Sequence, residues 1–243
     1  MNILIYCRAD FDFPQEKFKG LNANMLKLIA VTSMLIQHTA LIFLSEKSTL
    51  YLIMFLIGKL TAPIMCFFIA EGYYHTRSKK KYLSRLFLGA MVAHIPHALA
   101  LGFPIWSFWK VTSVMWSLFL GLVALMVFMK KDLPCPFRYL AVVICCILSY
   151  PGNWNLIAVL WVLVFGIFHD EKMKKWLAFF GVTLLYVLEF FVIDTGNELI
   201  WTRLFVLLAV PLLMLYNGKL GRKSKALQWG YYIFYPLHFM ALY

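Results

Sequence analysis

Residues 26–44 read LKLIAVTSMLIQHTALIFL, residues 51–72 read YLIMFLIGKLTAPIMCFFIAEG, and residues 82–103 read YLSRLFLGAMVAHIPHALALGF. Each run is about as long as a bilayer-crossing helix needs to be, roughly 20 residues. Two short polar turns join them, near Lys47 and Arg77. In consecutive antiparallel helices, residues equidistant from the intervening turn lie at one depth. His38 and Lys59 are roughly level across the first turn, and Lys59 and His94 across the second. Three titratable side chains in one plane inside a membrane cost at least a few kcal/mol each to place there. The cost makes them the first candidates for function.

Outward from this core the chain keeps its pattern. Apolar runs fall at 26–44, 50–72, 82–103, 111–129, 133–150, 154–168, 174–193, 198–216 and 229–243. With 63% hydrophobic and 14% charged residues the composition is not that of a soluble domain, whose charged fraction is about a quarter. An all-α polytopic membrane bundle of about nine transmembrane segments is the expectation. The runs at 154–168 and 229–243 are short for a full crossing. A formal charge of +12 raises nucleic acid as a partner. That reading needs the charge on one folded face, whereas here Lys and Arg cluster between apolar runs.

Those clusters set an orientation. Only Lys47 and Lys110 would lie on the outer side, and Lys59 and Arg203 within spans; every other Lys and Arg falls in alternate connections. The positive-inside rule then makes the N-terminus cytoplasmic. Residues 1–25 form a cytoplasmic segment and 26–243 a single transmembrane domain. The run NILIYC is too short for the core of a cleavable signal. The first span is expected to act as its own insertion signal, and Met25 is an alternative start. Five cysteines, with Cys66, Cys145 and Cys146 deep within apolar runs, suggest neither a disulfide framework nor a metal site.

Several residues carry two readings. Lys27 and His38 are eleven residues apart, about three helical turns and about 16 Å along one face. Lys27 would draw an anionic donor at the surface and His38 would act as a general base deeper in; alternatively, Lys27 snorkels and His38 satisfies a helix contact. Lys59 would keep nearby histidines neutral, or it bonds backbone or Gln37. Lys79, Lys80, Lys81 and Arg85 would hold a phosphorylated donor, or they serve as topology signals beside anionic lipid. Glu71 at a span end suggests an ion pair with Arg85. Glu189 and Arg203, equidistant from Gly196, are expected to pair across a helical hairpin. Asn153, Trp154 and Asn155, at an outer turn, could meet an acceptor, or the asparagines cap the turn. His97 and His169 read as a kink contact and a solvated loop residue.

The blocks LKLIAVTSMLIQH, GKLTAPIMCFFIAEGYYHTRSKKKYLSRL, LMLYNGKLG and YYIFYPLHFMALY, in this order, resemble the TraX family. That family is linked to N-terminal acetylation of pilin and to pilus or fimbrial assembly. The Lys27 to His38 spacing is also similar to the basic-residue, ten-residue, histidine pattern of acyltransferase-3 membrane proteins. The resemblance implies a bacterial inner-membrane acetyltransferase. It would use cytoplasmic acetyl-coenzyme A, with a pilin or fimbrial subunit or another extracytoplasmic acceptor as partner. It makes His38 the catalytic histidine and Lys27 its basic partner, with Lys59 where the family commonly has arginine; His94, level with them, is the third catalytic candidate although its stretch departs from the family pattern, and Lys27, Lys79, Lys80, Lys81 and Arg85 would hold the donor's phosphates. Glu71, Gly72, His75, Tyr82 and Arg85 match one block, and Tyr235, Pro236, Leu237 and His238 the closing one. Gln37 departs from the pattern, because related chains often carry Asp before the histidine. A non-catalytic assembly factor and a transporter are the alternatives.

Overall fold

The computed structural model describes residues 20–191, 200–222 and 224–242. The N-terminal segment up to residue 19 and the turn around Gly196 lie outside the described residues. Helices follow the apolar runs closely: α1 (Ala23–Phe43), α2 (Thr49–Gly58), α3 (Thr61–His75), α4 (Lys79–Ala100), α5 (Val114–Phe128), α6 (Cys135–Leu148), α7 (Asn155–Ile167) and α8 (Lys172–Glu189). A 3-10 segment (Ile200–Leu208) then runs into α9 (Ala209–Met214), and α10 (Lys225–Leu242) closes the chain. The described residues hold no strand, only the isolated bridges Leu21 to Tyr216 and Thr112 to Gly152. Three stretches, Ala23–Phe43, Thr49–His75 and Lys79–Ala100, are long and apolar enough to cross a membrane. Val114–Phe128, Cys135–Leu148, Asn155–Ile167 and Ile200–Met214 are apolar but shorter.

The second apolar run is not one helix. Pro63 has no N–H to give the carbonyl four residues earlier, that of Lys59, and its ring crowds that carbonyl. The helix breaks at Lys59 and Leu60, and the chain restarts at Thr61. Thr61 Oγ1 bonds Ala30 O at 3.0 Å, tying the restart to α1.

At the centre, α5 packs along α7, whose Ile157, Val159, Trp161, Val162 and Phe165 are buried. Close approach is allowed by a glycine on each helix. A Cβ on Gly121 would stand 3.0 Å from Val162, and one on Gly166 2.3 Å from Leu125. Leu125 is fully buried and has no room to yield. Gly166→Val is therefore expected to destabilise the detergent-solubilised protein by about 2 kcal/mol, read as a lowered thermal midpoint, because overpacked cores lose that much.

Around this centre the surface is apolar. On α6, Phe137, Tyr139, Leu140, Val143, Ile144 and Ile147 are exposed, as are Leu177, Phe180, Leu184 and Leu188 on α8. Water solvates such a coat poorly and lipid solvates it well.

One end of the bundle is tied by the YNGKLG block at 216–221. Leu21 N–H donates to Leu215 O at 2.8 Å and Ala23 N–H to Lys219 O at 2.9 Å. Asn22 caps α1 by accepting from Met25 N–H at 3.0 Å. Gly221, at φ +82°, lies so close to this cap that a Cβ would meet Asn22 Oδ1 at 2.7 Å. The glycine lets the block lie against the start of α1, and residues that follow it border the cavity described next.

Candidate active site

A cavity of about 520 Å³ opens at the end of the bundle that carries this block. Asn24 and Lys27 of α1, Phe68 and Gly72 of α3, Tyr82 and Arg85 of α4, and Arg222, Ser224 and Tyr231 line it. Its charged lining is basic, and no acidic side chain lines it among the described residues. Lys27 Nζ sits 5.1 Å from the centre of the Phe68 ring. The buried Nε of Arg85 has no hydrogen-bond partner among the described residues, which leaves a donor for a ligand.

A second, narrow pocket continues inward, with about 40 Å³ of free volume. Met65, Met115, Leu118 and Tyr231 line both spaces. On α1 the lining residues run Asn24, Lys27, Val31, Met34 and His38, steps of three and four residues that make one helix face. The eleven-residue spacing thus places Lys27 and His38 at two depths of one track. Asn153 and Trp154, from the turn before α7, line the far part of the inner pocket.

His38 is met by α10, which also packs on α4. His238 Nε2 lies 3.0 Å from His38 Nδ1, and His238 Nδ1–H donates to Phe234 O at 3.1 Å. Phe239 packs on His38 at 4.5 Å between ring centres and on His97 at 5.1 Å. Both His97 and His238 are buried. Helix α10 reaches these positions because it packs on both α4 and α1.

The plane expected from depth alone is split by helix rotation. His94 does not join His38: its Nε2 lies 2.7 Å from Ile105 O and its Nδ1 3.2 Å from Thr112 Oγ1, so it anchors the loop between α4 and α5. His97, one turn on, is the α4 histidine that shares Phe239 with His38. Lys59, at the break, donates to Tyr186 Oη at 3.0 Å and lies over Phe55 and Trp154 at 4.5 and 5.4 Å. Gln37 packs instead against Gly58, where a Cβ would stand 2.3 Å from its own.

The remaining candidates separate. Lys79, Lys80 and Lys81 are exposed and outside the cavity, and Lys79 caps the Tyr73 ring at 3.7 Å; of the four basic candidates at 79–85, Arg85 alone lines it. Glu71 pairs with two histidines rather than with Arg85. It is buried and faces His75 Nε2 at 3.2 Å and His169 Nε2 at 2.9 Å, so His169 is a fixed partner rather than a solvated one. Glu189 and Arg203 do meet, at 3.4 Å, and Asn155 Nδ2 donates to the other carboxylate oxygen at 2.8 Å. The sequence reading passed over the Arg222 and Ser224 lining and assigned no contact to His238. The FYPLH block was a signal for His238, but nothing local said what it touches.

A protein of Dichelobacter nodosus, named as a probable fimbrial assembly protein, FimC of serogroup H1, is 29% identical over 231 residues, covering 91% of this chain and 94% of that one. No solved structure matches the chain. Residues 22–243 match the family described as TraX protein, and with nearly every described element inside that span, the chain belongs to the TraX family.

Proposed function

We propose that this protein is a membrane-embedded acetyltransferase that moves an acetyl group from acetyl-coenzyme A to an amine or hydroxyl arriving from the opposite side of the membrane. The observation that carries the reading is the shared lining: Met65, Met115, Leu118 and Tyr231 border both a wide basic cavity at one end and a small pocket lined by His38. Cations at a cavity mouth suit a phosphorylated carrier, and a pocket of about 40 Å³ suits an acyl group of two carbons. The family and the fimbrial relative support a pilin or fimbrial subunit as acceptor. The bacterial inner membrane, a cytoplasmic N-terminus and nine crossings complete the reading; the shorter helices would cross with their flanking residues.

In this scheme Lys27, Arg85 and Arg222 hold the donor's phosphates, and its thioester arm lies along α1. A nitrogen of His38 takes the proton from the acceptor N–H or O–H as the acceptor attacks the thioester carbon. The C–S bond then breaks, the acetyl group stays on the acceptor, and the imidazolium returns its proton to the departing thiolate. The Gln37 amide, in the same pocket wall, is the nearest neutral donor in sequence for the oxyanion. Lys59, held by Tyr186 and its aromatic neighbours, and His94, held by the loop, act as supports in this scheme.

Two tests follow. Membranes with wild-type protein, given acetyl-labelled coenzyme A and extract of the native host, are expected to label an acceptor that His38→Ala membranes leave unlabelled. Absence of label in both, with no stabilisation of purified protein by coenzyme A, would favour a non-catalytic assembly role. Lys27→Ala and Arg222→Ala are each expected to raise KM for acetyl-coenzyme A about 10-fold with kcat little changed, since each removes one charge-assisted contact to the donor.

A further inference from the structure

The pair formed by His38 and His238 has a direction, which follows from hydrogen-bond bookkeeping. The Phe234 carbonyl can only accept, so the hydrogen of the 3.1 Å contact belongs to His238 Nδ1. A neutral His238 then has a bare Nε2, and this atom lies 3.0 Å from His38 Nδ1. One hydrogen must sit between the two nitrogens, and only His38 can supply it. The rings are near-parallel, 26° apart with centres at 5.0 Å. With centres 5.0 Å apart the near-parallel rings are offset rather than overlaid, and the 3.0 Å approach of the two nitrogens is within hydrogen-bond range. The remaining neighbours favour neutral rings: Tyr235 and Phe239 come from α10, His97 lies on the far side of Phe239, and among the described residues no carboxylate touches the pair.

We infer that His238 is the positioning residue for His38: it accepts the His38 Nδ1 hydrogen and thereby leaves His38 Nε2 unprotonated as the base. The role rests on the acetyltransferase reading. The acceptor comes from α10, 200 positions away in sequence, while the adjacent Gln37 packs on Gly58. The proton received at Nε2 leaves a cation that still donates from Nδ1 to His238, so the ring orientation holds through the transfer. No net charge is lost or gained by the pair beyond the acceptor's proton, which returns to the leaving thiolate.

The tautomer can be read without any assay of activity. Histidine-labelled protein with 15N in both ring positions, compared with a His38→Gln sample to assign the signals, is expected to show His38 protonated at Nδ1 and bare at Nε2. In His238→Ala the His38 signals should shift toward the Nε2–H form. In His238→Gln, whose side-chain oxygen can occupy the Nε2 position as an acceptor, they should stay near wild type. A wild-type His38 protonated at Nε2, or signals unchanged by His238→Ala, overturns the assignment. Kinetics provide the second readout. His238→Ala should lower kcat about 10²-fold with KM for acetyl-coenzyme A within about twofold, and His238→Gln should recover to within about 10-fold of wild type. Equal losses in the two variants overturn the positioning role. If wild-type protein transfers no acetyl group at all, the enzyme reading fails, while the tautomer result still decides how the pair is bonded.

Discussion

His38→Ala is expected to lower acetyl transfer by about 10³-fold while leaving coenzyme A affinity near wild type, because a positioned general base contributes roughly 10²–10⁴ in rate. The separation of the two effects comes from the geometry. His38 lines the inner pocket, whereas Lys27, Arg85 and Arg222 line the outer cavity, so the donor's phosphates do not meet the imidazole. Isothermal titration with coenzyme A, run beside a radiolabel transfer assay, measures both. Loss of binding together with loss of transfer would mean that His38 acts through folding.

Glu189→Ala is expected to produce the largest loss of stability, about 3 kcal/mol. Arg203 is only 4% exposed, and its guanidinium faces Glu189 and the Tyr186 carbonyl while lying over the Tyr186 ring at 4.4 Å. Removing the carboxylate strands a buried cation and also frees Asn155, whose amide donates to it. Asn155 stands at the start of α7, so the damage reaches the central helix. The double variant Glu189→Ala, Arg203→Met should regain much of the loss, since no charge is then left uncompensated. Thermal unfolding of the three variants in one detergent checks this; a double variant less stable than Glu189→Ala would show that Arg203 contributes mainly through its other contacts.

Much of this molecule can be read before its structure is known, for stated reasons. Long apolar runs between basic clusters became helices because a backbone away from water must satisfy its own hydrogen bonds. Lys27 and His38 fell on one face because helical periodicity alone sets that relation, and Glu189 met Arg203 because a hairpin pairs equidistant positions. What failed was rotation about helix axes. His38, Lys59 and His94 were matched by depth, yet depth does not say which side of a helix a residue faces. The break after Lys59 turned that side chain toward Tyr186, and the loop at 105–112 captured His94. Pro63 announced the break in the sequence, since its missing N–H acts on the carbonyl of Lys59 itself.

Other contacts were out of reach for a different reason. His38 and His238 are brought together only by α10 packing against α1 and α4, and no local pattern encodes a partner at that distance. Glu71 stands beside basic residues in sequence, but α3 carries it toward the turn before α8, where His169 waits. Local charge therefore predicted the wrong partner. The lysine run at 79–81 misled similarly: three successive helix positions point in three directions, and none of them lines the cavity that Arg85 borders.

In the proposed function an acetyl group crosses from the basic cavity, past His38, to an acceptor on the other side. Sealed inverted membrane vesicles, whose cytoplasmic face is outward, test this with labelled acetyl-coenzyme A added to the medium. Label is expected on a lumenal acceptor that is protected from added protease until the vesicles are opened, with no such label for His38→Ala. Label confined to protease-accessible protein, or lumenal label that persists without His38, would contradict it.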